Sequence, residues 1–145
     1  MKDDELIIED GGPVLIPPSE YDAIVTGYRK LRKFDRLMLQ MRFRIMTIGP
    51  HHGKELDAYL PLCEGGRIAR ASKLARWYQA LEDGRRHDRV RLKAFTERML
   101  RVSVRTVQKD HRQRSLPKCQ WYSVVDEVLG TVAKLADMHE CDTDD

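Results

Sequence analysis

The 145-residue chain has no run of 18 apolar residues, which excludes a membrane-spanning helix of ordinary length. Its first ten residues are acidic and hold no apolar core of signal-peptide length, so export by that route is not expected. Cysteine is scarce: Cys63, Cys119 and Cys141 are odd in number and scattered. They fit free thiols in a reducing cytoplasm better than a disulfide scaffold. There is no Gly-x-x-x-x-Gly-Lys phosphate loop and no Gly-x-Ser-x-Gly elbow. His51-His52 and His139-Glu-Cys141 have no second ligand pair at metal spacing, and Glu55 and Asp57 would need Asp22 brought beside them to build a nuclease metal site, which is not expected. Catalytic residues, metal ligands and cofactors are therefore expected to be none, and the chain is not expected to be an enzyme. No internal repeat or low-complexity tract is visible. Aromatic residues make up only 7% of the chain, so each one placed among cations carries weight.

What the chain has in quantity is charge, at 34% of residues, unevenly distributed. Residues 1–10 carry −4 and residues 136–145 carry −5, so the 125 residues between them carry +12 against an overall +3. A basic body between acidic ends is a pattern of nucleic-acid binders. The expected organisation is an acidic lead-in over 1–12, one folded domain over 13–135 and an acidic tail over 136–145.

The stretch from Leu37 to Ile48 organises the rest. Leu37, Leu39, Met41, Phe43 and Ile45 alternate with Met38, Gln40, Arg42, Arg44 and Met46, the period of a strand with one buried face. Before it, Tyr21 to Leu31 reads as a first strand with Gly27 at a bulge or bend. After it, Gly49-Pro-His-His-Gly53 is a turn, and Lys54 to Leu62 alternates again to complete a hairpin. From Arg67 to Leu81 the apolar spacing becomes three and four, predicting an amphipathic helix closed by Asp83-Gly84. Leu92 and Phe95 can anchor a short helical turn. Met99 to Val107 alternates as a fourth strand, with Arg101 and Arg105 on its polar side. A fifth strand begins at Trp121 and runs to about Leu129, although residues 126–137 fit a short helix equally well.

Three strands, a helix and two strands, with a glycine in the first, is the layout of an OB-fold, a five-stranded Greek-key barrel with its helix between strands 3 and 4. Its ligand surface lies on strands 2 and 3, framed by the loops between strands 1 and 2 and between strands 4 and 5. The expected first loop, Arg29 to Arg36, carries +4 through Arg29, Lys30, Arg32, Lys33 and Arg36 against Asp35. The expected second, Lys109 to Lys118, carries +3 through Lys109, Arg112, Arg114 and Lys118 against Asp110. Arg42 and Arg44 add cations on strand 2, with Arg101 and Arg105 on strand 4. Tyr28, Phe34, Tyr59 and Trp121 sit beside basic residues as stacking candidates. Cations that follow a backbone and flat rings that receive bases are what single-strand binding requires. About five neutralised phosphates give a log–log salt slope near −3.5, at roughly −0.7 per contact.

Residues 17–129 resemble single-stranded-DNA-binding-like OB-fold proteins of phages, plasmids and integrative elements. The resemblance rests on Pro17-Pro-Ser-Glu-Tyr-Asp-Ala23, Phe43-Arg-Ile45 with Gly49-Pro-His-His-Gly53, the helix with Leu74, Trp77 and Leu81, and Tyr122-Ser-Val-Val125. It implies cytoplasmic, sequence-independent binding of single-stranded DNA, or of RNA, during replication or recombination of a mobile element. Replication or recombination proteins are the implied partners. Separately, single barrels gain affinity by assembling several sites, and a partly open barrel has an edge that can pair, so a homo-oligomer is expected. The end Cys141-Asp-Thr-Asp-Asp145 has the acids of a bacterial single-strand-binding tail but lacks its apolar tip. The rival expectation is a protein-interaction or inhibitor barrel whose basic face meets an acidic protein partner.

Overall fold

The computed structural model describes residues 14–33, 35–63, 65, 67–69, 71–81 and 90–135. The acidic lead-in over 1–12, Phe34, the helix-closing Asp83-Gly84 and the acidic tail over 136–145 lie outside them. The alternating segments form five strands: β1 (Glu20–Lys33), β2 (Arg36–Ile45), β3 (Glu55–Pro61), β4 (Arg98–Val107) and β5 (Tyr122–Lys134). They close into a ring in the order β1-β2-β3-β5-β4, antiparallel except at β3–β5. Helix α1 (Lys73–Leu81) and the single turn α2 (Lys93–Thr96) lie between β3 and β4 in the chain.

The alternation of β2 holds from Leu39 to Ile45 except at Gln40, which is buried, while Leu37 is only half-buried. Leu39, Met41, Phe43 and Ile45 are all buried, while Arg42 and Arg44 are exposed. On β3, Leu56, Ala58 and Leu60 join the same core. Removing such side chains from water stabilises the barrel by roughly 1.5–3 kcal/mol for each large one. β2 ends at Ile45, three residues before its expected end. There the chain turns: the Gly53 amide donates to the Ile45 carbonyl at 2.7 Å, and Gly53 stands at φ +87°, a conformation that L side chains resist. Ile48 is left almost fully exposed in that turn.

The bulge expected in β1 is present. Val25 pairs with Phe43 and Gly27 with Arg42, so Thr26 is the extra residue. Beyond it β1 departs from expectation. The basic run taken as a loop is strand as far as Lys33, paired with β2 from Arg29↔Gln40 to Lys33↔Arg36. β2 starts at Arg36, and Asp35 just before it holds the left-handed φ of +61° that Asp tolerates. Repulsion among cations does not exclude a strand, because alternation sends neighbouring cations to opposite faces.

α1 starts at Lys73, six residues later than its spacing suggested. The Ser72 hydroxyl accepts the Ala75 amide at 3.2 Å, which sets the helix start there. Its buried face brings Trp77 edge-on to Phe43 at 6.2 Å and Tyr78 to Phe95 at 6.2 Å. The Trp77 indole donates to Glu127 Oε2 at 2.7 Å, tying α1 to β5.

β5 settles the strand-or-helix question of residues 126–137 in favour of a strand to Lys134. Its pairs Val104↔Val125, Val102↔Val128, Leu100↔Thr131 and Arg98↔Lys134 advance two residues on β4 for three on β5, through three register shifts. The extra residue in each step bends and coils the strand. Between β3 and β5 the ring is joined only at Asp57↔Val124. Beside that seam the chain segment before β1 adds support. The Ser123 amide donates to the Val14 carbonyl at 2.7 Å, and the buried Ser123 hydroxyl accepts the Ile16 amide at 2.8 Å. Cys63 and Cys119 are exposed and unbridged. Among the described residues no helix is long and apolar enough to cross a membrane.

Candidate functional site

A row of concavities crosses the outer face of the ring along β1, β2, β3, β5 and β4. The first, about 400 Å³, lies between Tyr28 and Arg29 on β1 and Gln40 and Arg42 on β2. The second, about 520 Å³, shares Arg42 and Glu55 with it and continues over Asp57, Tyr59 and Tyr122. The third, about 220 Å³, shares Tyr59, Tyr122 and Val124 and adds Lys33, Arg105 and Lys109. A fourth shares Arg105, Val107 and Lys109. Neighbouring concavities share wall residues, so together they form a row from β1 to β4, called the groove below.

Its floor is a chain of polar contacts. Arg29 Nε donates to Gln40 Oε1 at 2.6 Å, and Gln40 Nε2 donates to Asp57 Oδ2 at 3.0 Å. Arg42 Nε donates to Asp57 Oδ1 at 3.0 Å, with its Nη2 3.4 Å from Oδ2. The cross-strand register creates this chain, because Arg29 faces Gln40, Gln40 faces Tyr59 and Arg42 faces Asp57. Gln40, read as a solvent-side residue, is only 6% exposed because its neighbours cover it. Every polar atom of its amide is engaged, which is what permits the burial.

Electrostatics follow the same contacts. The hydrogen bond and charge of Asp57 hold the Arg42 guanidinium above its already high range. Lys33 Nζ lies 3.7 Å from the centroid of the Tyr59 ring. Partial burial lowers the Lys33 pKa, against an opposing pull from Asp57. Burial, then the Asp57 charge, raises that of the Tyr59 phenol.

The expected residues divide into those brought together and those set apart. Arg29, Lys33, Arg42, Tyr59, Arg105 and Lys109 line the groove, as does Tyr28. Lys30 and Arg32 alternate to the other face of the β1–β2 hairpin, and Arg36 begins β2 at its exposed tip. Arg44 lies at the far end of β2, 3.9 Å from Glu55. Arg101 pairs with Asp22 at 3.4 Å on the β4–β1 side and lines none of the four concavities. Arg105 is itself paired, 3.1 Å from Asp126.

The loop after β4 is tied together by local hydrogen bonds. Lys109 bridges to Ser115, and the Asp110 carboxylate accepts the amides of Arg112 at 2.8 Å and Arg114 at 2.9 Å. Those bonds, the one from Arg114 first, lower the Asp110 pKa. Arg112 and Arg114 are exposed on this loop, and Lys118 opens a short 3-10 helix; none of the three lines these four concavities. Trp121 is half-buried outside the groove, its indole donating to the Leu116 carbonyl at 3.0 Å.

Tyr122 takes the place expected of Trp121, lining two concavities. Nothing in the Trp-Tyr pair ranks one above the other; the start of β5 decides it. Asp57 was legible, since it alternates onto the same face as Tyr59. Lys73 and His111 also line the third concavity, brought there from α1 and the β4–β5 loop. Among the described residues no group of three or more His, Cys, Asp or Glu side chains is placed to hold a metal ion. No protein-family model, curated protein or solved structure matches the chain.

Proposed function

We propose that this chain is an OB-fold protein that binds single-stranded nucleic acid, DNA in the first instance, along the groove from Tyr28 to Lys109. The observation that carries the reading is the continuity of that groove across β1, β2, β3, β5 and β4, with aromatic rings on its walls and cations toward both ends. The strand order, with a parallel β3–β5 contact, and the helices between β3 and β4 agree with the OB-fold layout, whose ligands lie on strands 2 and 3.

In this reading Tyr59 and Tyr122 receive bases, each stack contributing roughly 1–3 kcal/mol. Arg29, Lys33, Lys109 and the partly neutralised Arg105 follow the phosphates. Most of the affinity then comes from backbone and stacking, which tolerates any sequence. The biological setting consistent with the sequence resemblance is replication or recombination of a mobile element.

Fluorescence anisotropy with a labelled oligothymidine at several salt concentrations tests the reading. With about four phosphate contacts the log–log slope is near −3, at roughly −0.7 per contact. An acidic protein partner and no oligonucleotide binding at low salt would favour the rival. An RNA oligonucleotide of the same length measures the preference between the two nucleic acids.

A further inference from the structure

Asp57 is a carboxylate in the middle of a surface otherwise suited to a polyanion. A phosphate placed against it would be repelled, so a strand lying in this groove turns its phosphates to Arg29, Lys33 and Lys109. It then turns a base toward Asp57, beside Tyr59 and Tyr122, which line the same concavity.

The acceptor capacity of Asp57 is only partly used. A carboxylate offers about four acceptor positions. Oδ2 takes Gln40 Nε2 and the more distant Arg42 Nη2, whereas Oδ1 takes Arg42 Nε alone. One position on Oδ1 remains, on a side chain that is 24% exposed. Gln40 cannot rotate to offer a donor in place of that acceptor. Its Oε1 is held by Arg29 and its Nε2 by Asp57, with the Tyr59 hydroxyl 3.5 Å away.

We infer, resting on the single-strand reading above, that Asp57 makes this step of the groove selective for cytosine over thymine. Cytosine presents an exocyclic amino group that donates to a carboxylate, a recognised pairing of Asp with C N4. Thymine presents the O4 carbonyl at the same place, and its ring N–H lies between two carbonyl oxygens that the carboxylate repels. The two bases have rings of the same size, so stacking on Tyr59 and Tyr122 does not separate them. Arg42 and Gln40 are positioning residues, fixing the carboxylate so that selectivity costs little ordering on binding.

The test is anisotropy at pH 7.5 with labelled homopolymers of about twelve nucleotides, within the span of an OB-fold site. Oligo-dC, oligo-dT and oligo-dU are compared, the last lacking the thymine methyl. The wild type is expected to bind dC roughly five- to twentyfold more tightly than dT, with dU close to dT, the lower range for one base-edge contact. Asp57→Asn keeps the shape of the side chain and supplies a donor to O4, so the dC/dT ratio falls to about one or reverses. Its circular dichroism spectrum and melting temperature establish that it is folded. Equal binding of all three oligonucleotides by the wild type, with a salt slope, overturns the selectivity and leaves the single-strand reading standing. So does a ratio unchanged by Asp57→Asn. Binding of none of them overturns the single-strand reading, and the selectivity with it.

Discussion

Arg42 and Asp57 face each other across the β2–β3 ladder, with Arg42 Nε donating to Asp57 Oδ1 at 3.0 Å in the middle of the groove. The pair gives an arginine expected to meet phosphate a carboxylate of its own. Arg42 is half exposed, so the contact adds only about 0–1 kcal/mol to stability. Its larger effect is on the field that a ligand meets. Asp57→Ala removes that negative charge and releases Arg42. The variant is expected to bind oligothymidine roughly three- to tenfold more tightly, as a like charge leaves the interface. Its salt slope is expected to steepen by about 0.7, one further phosphate contact. Weaker binding measured by anisotropy would contradict this.

The exchange of roles between Trp121 and Tyr122 is directly measurable. Tyr122→Ala and Tyr59→Ala are each expected to cost roughly 1–3 kcal/mol of binding, the value of one base stack. Trp121→Ala is expected to leave the affinity within about twofold, because its indole is engaged by the Leu116 carbonyl outside the groove. Ligand titrations of the three variants separate the cases, and a large loss in Trp121→Ala would return that residue to the site.

Trp77 shares its helix with no groove-lining aromatic, and its role is in the core. It is 1% exposed, edge-on to Phe43, and donates to Glu127. Trp77→Ala removes a large buried ring and leaves the Glu127 carboxylate without that donor. The expected loss of stability is about 3–5 kcal/mol, read from urea unfolding.

The loop after β4 has a defined pH response. Asp110 has its pKa lowered by the amides of Arg114 and Arg112, so its ionised form orders the loop. A carboxyl whose folded value lies below its unfolded value contributes above the unfolded value and loses that contribution as pH falls through the folded one. Hydrogen exchange at the Arg112 and Arg114 amides, corrected for its intrinsic pH dependence, is expected to show constant protection from pH 8 to about 5. Protection is expected to fall below about pH 4, beneath the ordinary aspartate value. Asp110→Ala is expected to lose it at every pH.

How much of this was legible follows from period and charge. β2, β3 and β4 announce themselves because two-residue alternation with one apolar face survives intact in them. β5 does not, because its inward residues Val125, Val128 and Thr131 recur every three positions through successive bulges. That spacing imitates a helix, and only the pairing with β4 resolves it. The pairing of Arg29–Lys33 with β2 was hidden for a different reason: a basic run reads as solvated loop, and no glycine or proline between Arg29 and Arg36 marks a reversal. Of the site, the cations and Tyr59 were visible in sequence. Their neutralisation was not, since Arg42–Asp57, Arg105–Asp126 and Arg101–Asp22 are contacts between strands. Register sets them, and register depends on the bulge at Thr26 as well as on the strands themselves.

The most direct measurement is the salt dependence of oligothymidine binding in the wild type beside Lys33→Gln and Lys109→Gln, which lie on separate elements but line the same concavity. A groove that follows a single strand predicts a wild-type slope near −3 that becomes shallower by about 0.7 in each variant. No binding at low salt, or a slope unchanged by both substitutions, would contradict it.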